Sequence, residues 1–122
     1  MSSQEIPPWL REQLARFEQL QQSLQTILVQ KQQVELEAAE IEKALEELKK
    51  ADQAEPVYKS SGSVLIRVKR DDLLKELEEK KELANTRLLV LSKQESRLRE
   101  NIKELQIKID EAVRGKGQPQ AS

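Results

Sequence analysis

The fold is decided at the centre of the chain, by the stretch Val57-Tyr58-Lys59-Ser60-Ser61-Gly62-Ser63-Val64-Leu65-Ile66-Arg67-Val68-Lys69. Its β-branched residues alternate with other types and Ser61-Gly62 supplies turn residues, so the stretch predicts a β-hairpin over about residues 56–69. A lone two-stranded hairpin is only marginally stable in water, and its unpaired edges invite association. We therefore expect contacts between subunits to form through the apolar residues of this hairpin, which are Val57, Tyr58, Val64, Leu65, Ile66 and Val68.

On both sides of this hairpin, apolar residues recur at alternating steps of three and four. Before it, the spacing covers positions 10, 13, 17, 20, 24, 27, 31, 34, 38, 41, 45 and 48, with Gln13 and Lys31 as the exceptions. After it, the spacing covers positions 74, 77, 81, 84, 88, 91, 95, 98, 102, 105, 109 and 112, with Lys81 and Glu95 as the exceptions. This spacing predicts a coiled coil, and we call each set of positions a seam.

The two seams mirror each other, because positions 48 and 74, 45 and 77, and so on to 10 and 112 add to the same number. The symmetry predicts a single, mainly α domain over residues 1–122, in which the hairpin connects two antiparallel helices over about residues 8–51 and 71–113. Lys31 and Glu95 then lie in adjacent layers, where they either reach each other and fix the register or extend separately to water. The last residues, 114–122, have nothing to bury and are expected to form a disordered tail.

Composition argues against catalysis. The chain has 122 residues and contains neither histidine nor cysteine. The commonest general base, the thiolate nucleophile and nearly all zinc sites are therefore excluded, and the sequence lacks a glycine-rich phosphate-binding motif. We expect a binding protein that is not an enzyme and that uses no metal and no cofactor.

Charge and hydropathy limit the partners in a similar way. The chain has 21 basic and 22 acidic residues, so its net charge of −1 draws it neither to nucleic acid nor to anionic lipid. Arg67, Lys69 and Arg70 form a basic cluster that we interpret as a strand edge protected against wrong pairing. The apolar runs are far shorter than a membrane span, and the start of the chain does not resemble a signal peptide. We expect a cytoplasmic protein with no membrane and no nucleic-acid partner.

Several short segments around the hairpin carry a family resemblance. They are Ile6-Pro7-Pro8, Phe17-Glu18-Gln19-Leu20-Gln21-Gln22, Gln30-Lys31-Gln32-Gln33, Lys43-Ala44-Leu45-Glu46-Glu47-Leu48, Val57-Tyr58-Lys59 with Gly62, and Lys93-Gln94-Glu95. In their order and spacing, over about residues 6–113, they resemble the beta subunit of archaeal prefoldin. No single segment is specific by itself.

The resemblance implies a hexamer of two alpha and four beta subunits, whose hairpins form an intersubunit double β-barrel and whose coiled coils project from it. It also implies an ATP-independent chaperone of the holdase type. In that family the open ends of the coiled coils hold non-native client proteins and transfer them to a group II chaperonin. The implied partners are therefore the prefoldin alpha subunit, other beta subunits, the chaperonin and the clients.

The client surface should lie where the start of the first helix meets the end of the second. A protein that binds unfolded chains needs accessible apolar groups without shape specificity. The candidates are Ile6, Trp9, Leu10, Leu14, Phe17, Ile102, Leu105, Ile107, Ile109 and Val113. Four of them also fit ordinary seam packing: Leu10, Phe17, Leu105 and Ile109. The stronger candidates lie off the seam or flank it: Ile6, Trp9, Leu14, Ile107 and Val113.

Two other functions fit a coiled coil. A structural or tethering protein without client binding would share the seams, but it has no reason to include the hairpin. An RNA-binding helical arm, as in some tRNA synthetases, would carry a basic stripe along one helix, whereas charges of both signs are mixed throughout this chain.

Overall fold

The structure, a computed structural model, describes residues 6–117. Its elements follow in the order α1 (Pro8–Lys50), β1 (Val57–Ser61), β2 (Val64–Val68) and α2 (Arg70–Gly117). The predicted architecture of two long helices with a central antiparallel hairpin is confirmed. By its internal contacts the chain divides into a terminal unit, residues 6–30 with 91–117, and a hairpin unit, residues 31–90.

Burial confirms both seams. Each of the predicted seam positions is buried or half-buried, including the four that carry polar side chains. In the terminal unit, Leu10 of α1 packs with Leu105 and Ile109 of α2, and Phe17 and Leu20 lie against this cluster. The buried residues of the hairpin unit are Val34, Ile41, Leu45, Leu48 and Ala84.

Ion pairs between the helices show the antiparallel course of the hairpin unit. Going back along α1, Lys49 contacts Glu78 of α2 at 3.8 Å, and Glu42 contacts Lys81 at 3.0 Å. Still earlier, Glu37 contacts Arg87 at 3.8 Å. The partner numbers rise along α2 as they fall along α1, which is the predicted order.

The seam position occupied by Lys81 shows how a charge is accommodated there. Its Nζ lies 3.0 Å from Oε2 of Glu42, and this hydrogen bond raises the pKa of Lys81 above its ordinary value. The aliphatic stem stays in the seam while the ammonium group reaches the edge. In the terminal unit, Nε of Arg99 donates to Oε2 of Glu95 at 2.8 Å. A pairing of Lys31 with Glu95 stays a prediction.

The helix starts follow from the sequence around them. Pro8 is the first residue of α1, where proline needs no backbone hydrogen bond, and the amide of Arg11 donates to the carbonyl of Pro7 at 2.9 Å. At α2 the amide of Leu73 donates to the carbonyl of Lys69 at 3.0 Å. Asp71 and Asp72 therefore occupy the first turn of α2, where the helix dipole favours negative charge.

The end of α2 differs from the prediction. The helix continues to Gly117, so residues 114–117, which we expected in the disordered tail, are helical. A glycine inside a helix costs about 1 kcal/mol relative to alanine, which weakens the helix without ending it, and Arg114 complements the dipole at this terminus. The rest of the predicted tail, residues 118–122, lies outside the described residues.

The hairpin pairs Val57 with Val68 at its base and Ser61 with Val64 next to its turn. The turn consists of two residues, of which the first, Gly62, has a φ of +60°. A positive φ at that position is what a type II′ turn requires, and glycine adopts it without steric cost. Cross-strand partners share a face, so Val57, Lys59, Val64, Ile66 and Val68 lie on one face of the sheet, and Tyr58, Leu65 and Arg67 on the other.

Candidate interaction sites

The structure separates the predicted client-binding residues into two groups. The buried group consists of Leu10, Leu105 and Ile109, which form one cluster with Phe17 packed against it. Ile102 is half-buried. These side chains hold α1 and α2 together in the terminal unit, so a client reaches them only where the helix ends separate.

The exposed group consists of Ile6, Trp9, Leu14, Ile107 and Val113, which we call the tip residues. Trp9 keeps 46% of its surface in contact with solvent although it immediately precedes the buried Leu10. Leu14 and Val113 each follow a buried seam residue by four positions, which places both along one edge of the seam. The tip residues therefore lie in the same unit as the buried cluster but outside the seam positions that form it.

A shallow groove of about 450 Å³ runs along the same unit. Its floor contains Ile27 and Leu98, and its walls carry mainly uncharged hydrogen-bonding groups. The wall residues are Ser23, Thr26, Gln30, Gln94, Arg97 and Asn101. In a chain that is 35% charged, this lining contains a single charged residue, Arg97. No sequence pattern predicted this groove.

The predicted assembly residues are largely exposed. Val57 and Val68 at the base of the hairpin are half-buried, whereas Tyr58, Val64, Leu65 and Ile66 are exposed, Leu65 to 71%. The sheet consists of β1 and β2 alone, so each strand has one edge without a partner strand among the described residues. Apolar side chains on both faces and two open edges are typical of a sheet that is completed by another chain.

One polar contact joins the hairpin to α2. Nζ of Lys59, on β1, lies 2.5 Å from Oε1 of Glu76, and this hydrogen bond lowers the pKa of Glu76 below its ordinary value. Beside this ion pair is a cleft of about 270 Å³, which Val68, Asp72 and Leu73 also line. The pair was not predicted from the sequence, because the partners are 17 residues apart and belong to different elements.

Exposed aliphatic residues also occur away from the tip residues and the hairpin, and they were not among the residues predicted from the sequence. They are Val29, Leu36, Leu83, Leu89 and Val90. Their signal was present, since each occupies a position outside the seam where a solvated helix normally carries a polar residue.

Two further observations concern residues 6–117 as a whole. Neither helix contains a stretch that is long and apolar enough to cross a membrane. In the same part of the chain, His, Cys, Asp and Glu side chains do not converge in a group of three or more that could hold a metal ion.

Comparison with known proteins agrees with the geometry. The family model described as "Prefoldin subunit" matches residues 11–116. The chain is 45% identical over 105 residues to "Prefoldin subunit beta" of Archaeoglobus fulgidus, covering 86% of this chain and 90% of that protein. It is 46% identical over 109 residues to "Prefoldin subunit beta" of Pyrobaculum islandicum, covering 89% and 87%.

A solved structure is similar over nearly the same range. The crystal structure of the prefoldin beta subunit from Thermococcus strain KS-1 superposes with a TM-score of 0.82 at 40% identity, covering 91% of this chain and 97% of that one. Both helices and the hairpin thus have counterparts in a protein of known fold. With the match of the family model over most of the chain, the chain belongs to the prefoldin subunit family.

Proposed function

We propose that this chain is a subunit of an ATP-independent holdase chaperone that acts in the cytoplasm. It assembles through its hairpin with alpha-type and other beta-type prefoldin subunits, in a hexamer of two alpha and four beta chains. The assembly holds non-native proteins at its coiled-coil ends and transfers them to a group II chaperonin. Membership of the prefoldin subunit family supports assembly with other prefoldin subunits.

The observation that carries this proposal is the set of exposed apolar tip residues around a buried cluster in the terminal unit. Each exposed side chain offers an unfolded chain apolar area, at about 25 cal/mol per Å² removed from water. Several weak contacts of this kind need no particular client sequence. The groove with Ile27 and Leu98 at its floor adds amide and hydroxyl groups that suit the exposed main chain of such a client.

Assembly is supported by the exposed hairpin. Leu65 and Tyr58 project from one face, Val64 and Ile66 from the other, and both edges are open within the structure described. A barrel built from several hairpins would pair these edges and cover the apolar side chains of one face. Val57 and Val68, at the base, complete the apolar surface proposed for assembly.

In this proposal the chain is not an enzyme. Holding and releasing a client requires apolar contact and its loss, and neither step makes or breaks a covalent bond. Since nothing in the cycle of this subunit consumes nucleotide, we expect its suppression of client aggregation to be the same with and without ATP.

The test is a variant in which four tip residues become polar: Trp9→Ser, Leu14→Gln, Ile107→Gln and Val113→Gln. The variant is produced together with an alpha-type prefoldin subunit, its assembly is measured by light scattering, and aggregation of a denatured client is followed by turbidity. We expect normal assembly and at least tenfold weaker suppression, because about 0.4 kcal/mol lost at each of four contacts exceeds the 1.4 kcal/mol of a tenfold change.

The matched control makes the same kind of change at four exposed aliphatic residues of the hairpin unit: Leu36→Gln, Leu83→Gln, Leu89→Gln and Val90→Gln. It should suppress aggregation as the wild type does. Equal suppression by the tip variant and the control would show that clients bind elsewhere. A wild-type assembly that does not suppress aggregation at all would favour the tethering function, and a requirement for ATP would contradict the holdase.

A further inference from the structure

The hairpin is attached to the two helices unequally. Six residues, 51–56, connect α1 to β1, whereas Lys69 alone connects β2 to α2. A hydrogen bond joins the two connections beneath the hairpin, because Nη1 of Arg70, at the start of α2, donates to the carbonyl of Ala51, just after α1, at 3.2 Å. The hairpin can therefore change its angle mainly by rotation at Lys69.

The contact that opposes such a rotation is the ion pair of Lys59 with Glu76. Lys59 lies at the middle of β1, opposite Ile66 and on the face that turns toward α2. Glu76 lies six residues into α2. The cleft of about 270 Å³ lies between Lys59 and Val68 of this face and Asp72 and Leu73 of α2, and the ion pair spans it. Val64 and Ile66 of the same face are exposed, so few apolar contacts hold the hairpin at its angle.

A small rotation at Lys69 would matter for strand pairing. The turn at Gly62 is about 20 Å from the base of β2, at roughly 3.4 Å per residue. A rotation of about 15° would thus move the turn by roughly 5 Å, which is the distance between neighbouring strands in a sheet. A hairpin displaced that far no longer meets the strand of a neighbouring subunit in register.

We propose that the ion pair between Lys59 and Glu76 fixes the angle at which the hairpin leaves α2, and so presents its open edges in register to the strands of other prefoldin subunits. The ion pair positions the hairpin before the subunits meet. Assembly then loses less conformational entropy in ordering the hairpin. This inference rests on the assembly role proposed above for the hairpin and is independent of client holding.

The test compares Lys59→Met, Glu76→Gln and the charge exchange Lys59→Glu with Glu76→Lys. Each chain is mixed with an alpha-type prefoldin subunit, and sedimentation velocity over a range of concentrations gives the concentration of half-assembly. Circular dichroism records the helical content of the same samples. The matched control is Lys49→Met. Lys49 belongs to the same unit, but its ion pair with Glu78 joins the two helices and does not involve the hairpin.

Each single variant should weaken an association step about two- to fivefold, the range for a partly exposed ion pair, at unchanged helical content. In an assembly of six chains with four copies of the pair, the effects on the overall equilibrium constant multiply to roughly 16- to 600-fold. Because that constant scales with the fifth power of concentration, the half-assembly concentration should rise about two- to fourfold. The exchanged pair should recover most of the loss, and added salt should weaken assembly of the wild type more than that of Lys59→Met.

Two results would overturn the inference alone. Assembly of Lys59→Met and Glu76→Gln at the wild-type concentration is the first. The second is a charge exchange that assembles no better than the single variants, since the side chains would then act through other contacts. If Lys59→Met reduces the helical content, its weaker assembly reflects a loss of structure. The half-assembly concentration of Glu76→Gln then tests the inference, because that variant leaves both strands unaltered. A wild-type chain that does not assemble would overturn the proposed assembly role as well.

Discussion

Replacement of Leu45 by alanine is the most direct test of the seam as the source of stability. Leu45 retains 1% of its surface exposed, in the part of α1 that also buries Val34, Ile41 and Leu48. The substitution removes three carbon groups, at about 0.8 kcal/mol each, and leaves a partly collapsed cavity that adds to the cost. We expect a loss of about 3 kcal/mol in the free energy of unfolding.

This loss translates into a large thermal shift. An unfolding entropy of about 2.1 cal/mol/K per residue gives about 0.26 kcal/mol/K for a chain of 122 residues. A loss of 3 kcal/mol then lowers the midpoint by about 12 °C. The assay is thermal unfolding followed by far-ultraviolet circular dichroism, at one fixed protein concentration because assembly also stabilises the chain.

The control is Leu36→Ala in the same helix. Leu36 is 63% exposed, so the same chemical change should alter stability by less than about 0.5 kcal/mol, or about 2 °C. Equal shifts for the two variants, or a shift of less than about 4 °C for Leu45→Ala, would refute the assignment of this seam as the core.

Three further predictions concern single residues. Gly62→Ala should destabilise the hairpin by about 1 kcal/mol, because alanine resists a φ of +60°, and should raise the half-assembly concentration in sedimentation; an unchanged value would contradict the turn. Lys81→Leu should raise the thermal midpoint by a few degrees, since it removes a charge from the seam and leaves Glu42 exposed to water; a lower midpoint would show that the ion pair stabilises the unit. The hydrogen bond from Lys59 lowers the pKa of Glu76 below its ordinary value of 4.5. Their ion pair therefore stabilises the hairpin above pH 4.5, and this stabilisation is lost as pH falls through the lowered pKa of Glu76 in the folded protein. As pH falls below 4.5, wild-type assembly should therefore weaken more steeply than that of Glu76→Gln, and parallel pH profiles would argue against this coupling.

The seams were predictable from the sequence because their signal is local and repeated. Apolar residues at repeated steps of three or four all mark the same buried side of the helix, so isolated polar positions such as Gln13 do not obscure the pattern. The hairpin was predictable for a similar reason, since strand residues surround Gly62 within a few positions.

Contacts between separate elements were not predictable in the same way. The pairing of Lys59 with Glu76 depends on the angle of the hairpin, and that of Lys81 with Glu42 on the detailed register of two helices. A periodic sequence pattern determines neither the angle of the hairpin nor the detailed register of the two helices. Past Val113, two opposing free-energy contributions decide where α2 ends. Glycine disfavours the helix, whereas adding a residue to an already formed helix is favourable. Composition alone does not show which contribution is larger.

For the candidate client-binding residues, the sequence predicted which side chains are exposed. The five candidates off or beside the seam are exposed, whereas Leu10, Leu105 and Ile109, whose positions fit seam packing, are buried in one cluster. Heptad position separates the two groups, because the buried ones occupy seam positions and the exposed ones do not.

The scarcity of aromatic residues has a practical consequence for spectroscopy. Trp9 is the single tryptophan of the chain and lies in the terminal unit, 46% exposed, whereas Tyr58 is the single tyrosine and lies on the hairpin, 53% exposed. Tryptophan emission from the unmodified protein therefore reports on the surroundings of the terminal unit, and tyrosine emission on those of the hairpin. Both side chains are about half solvated, so coverage of either residue by another chain should change the emission of that residue. With partner chains that contain neither tryptophan nor tyrosine, the two fluorophores would distinguish contact at the terminal unit from contact at the hairpin without a label.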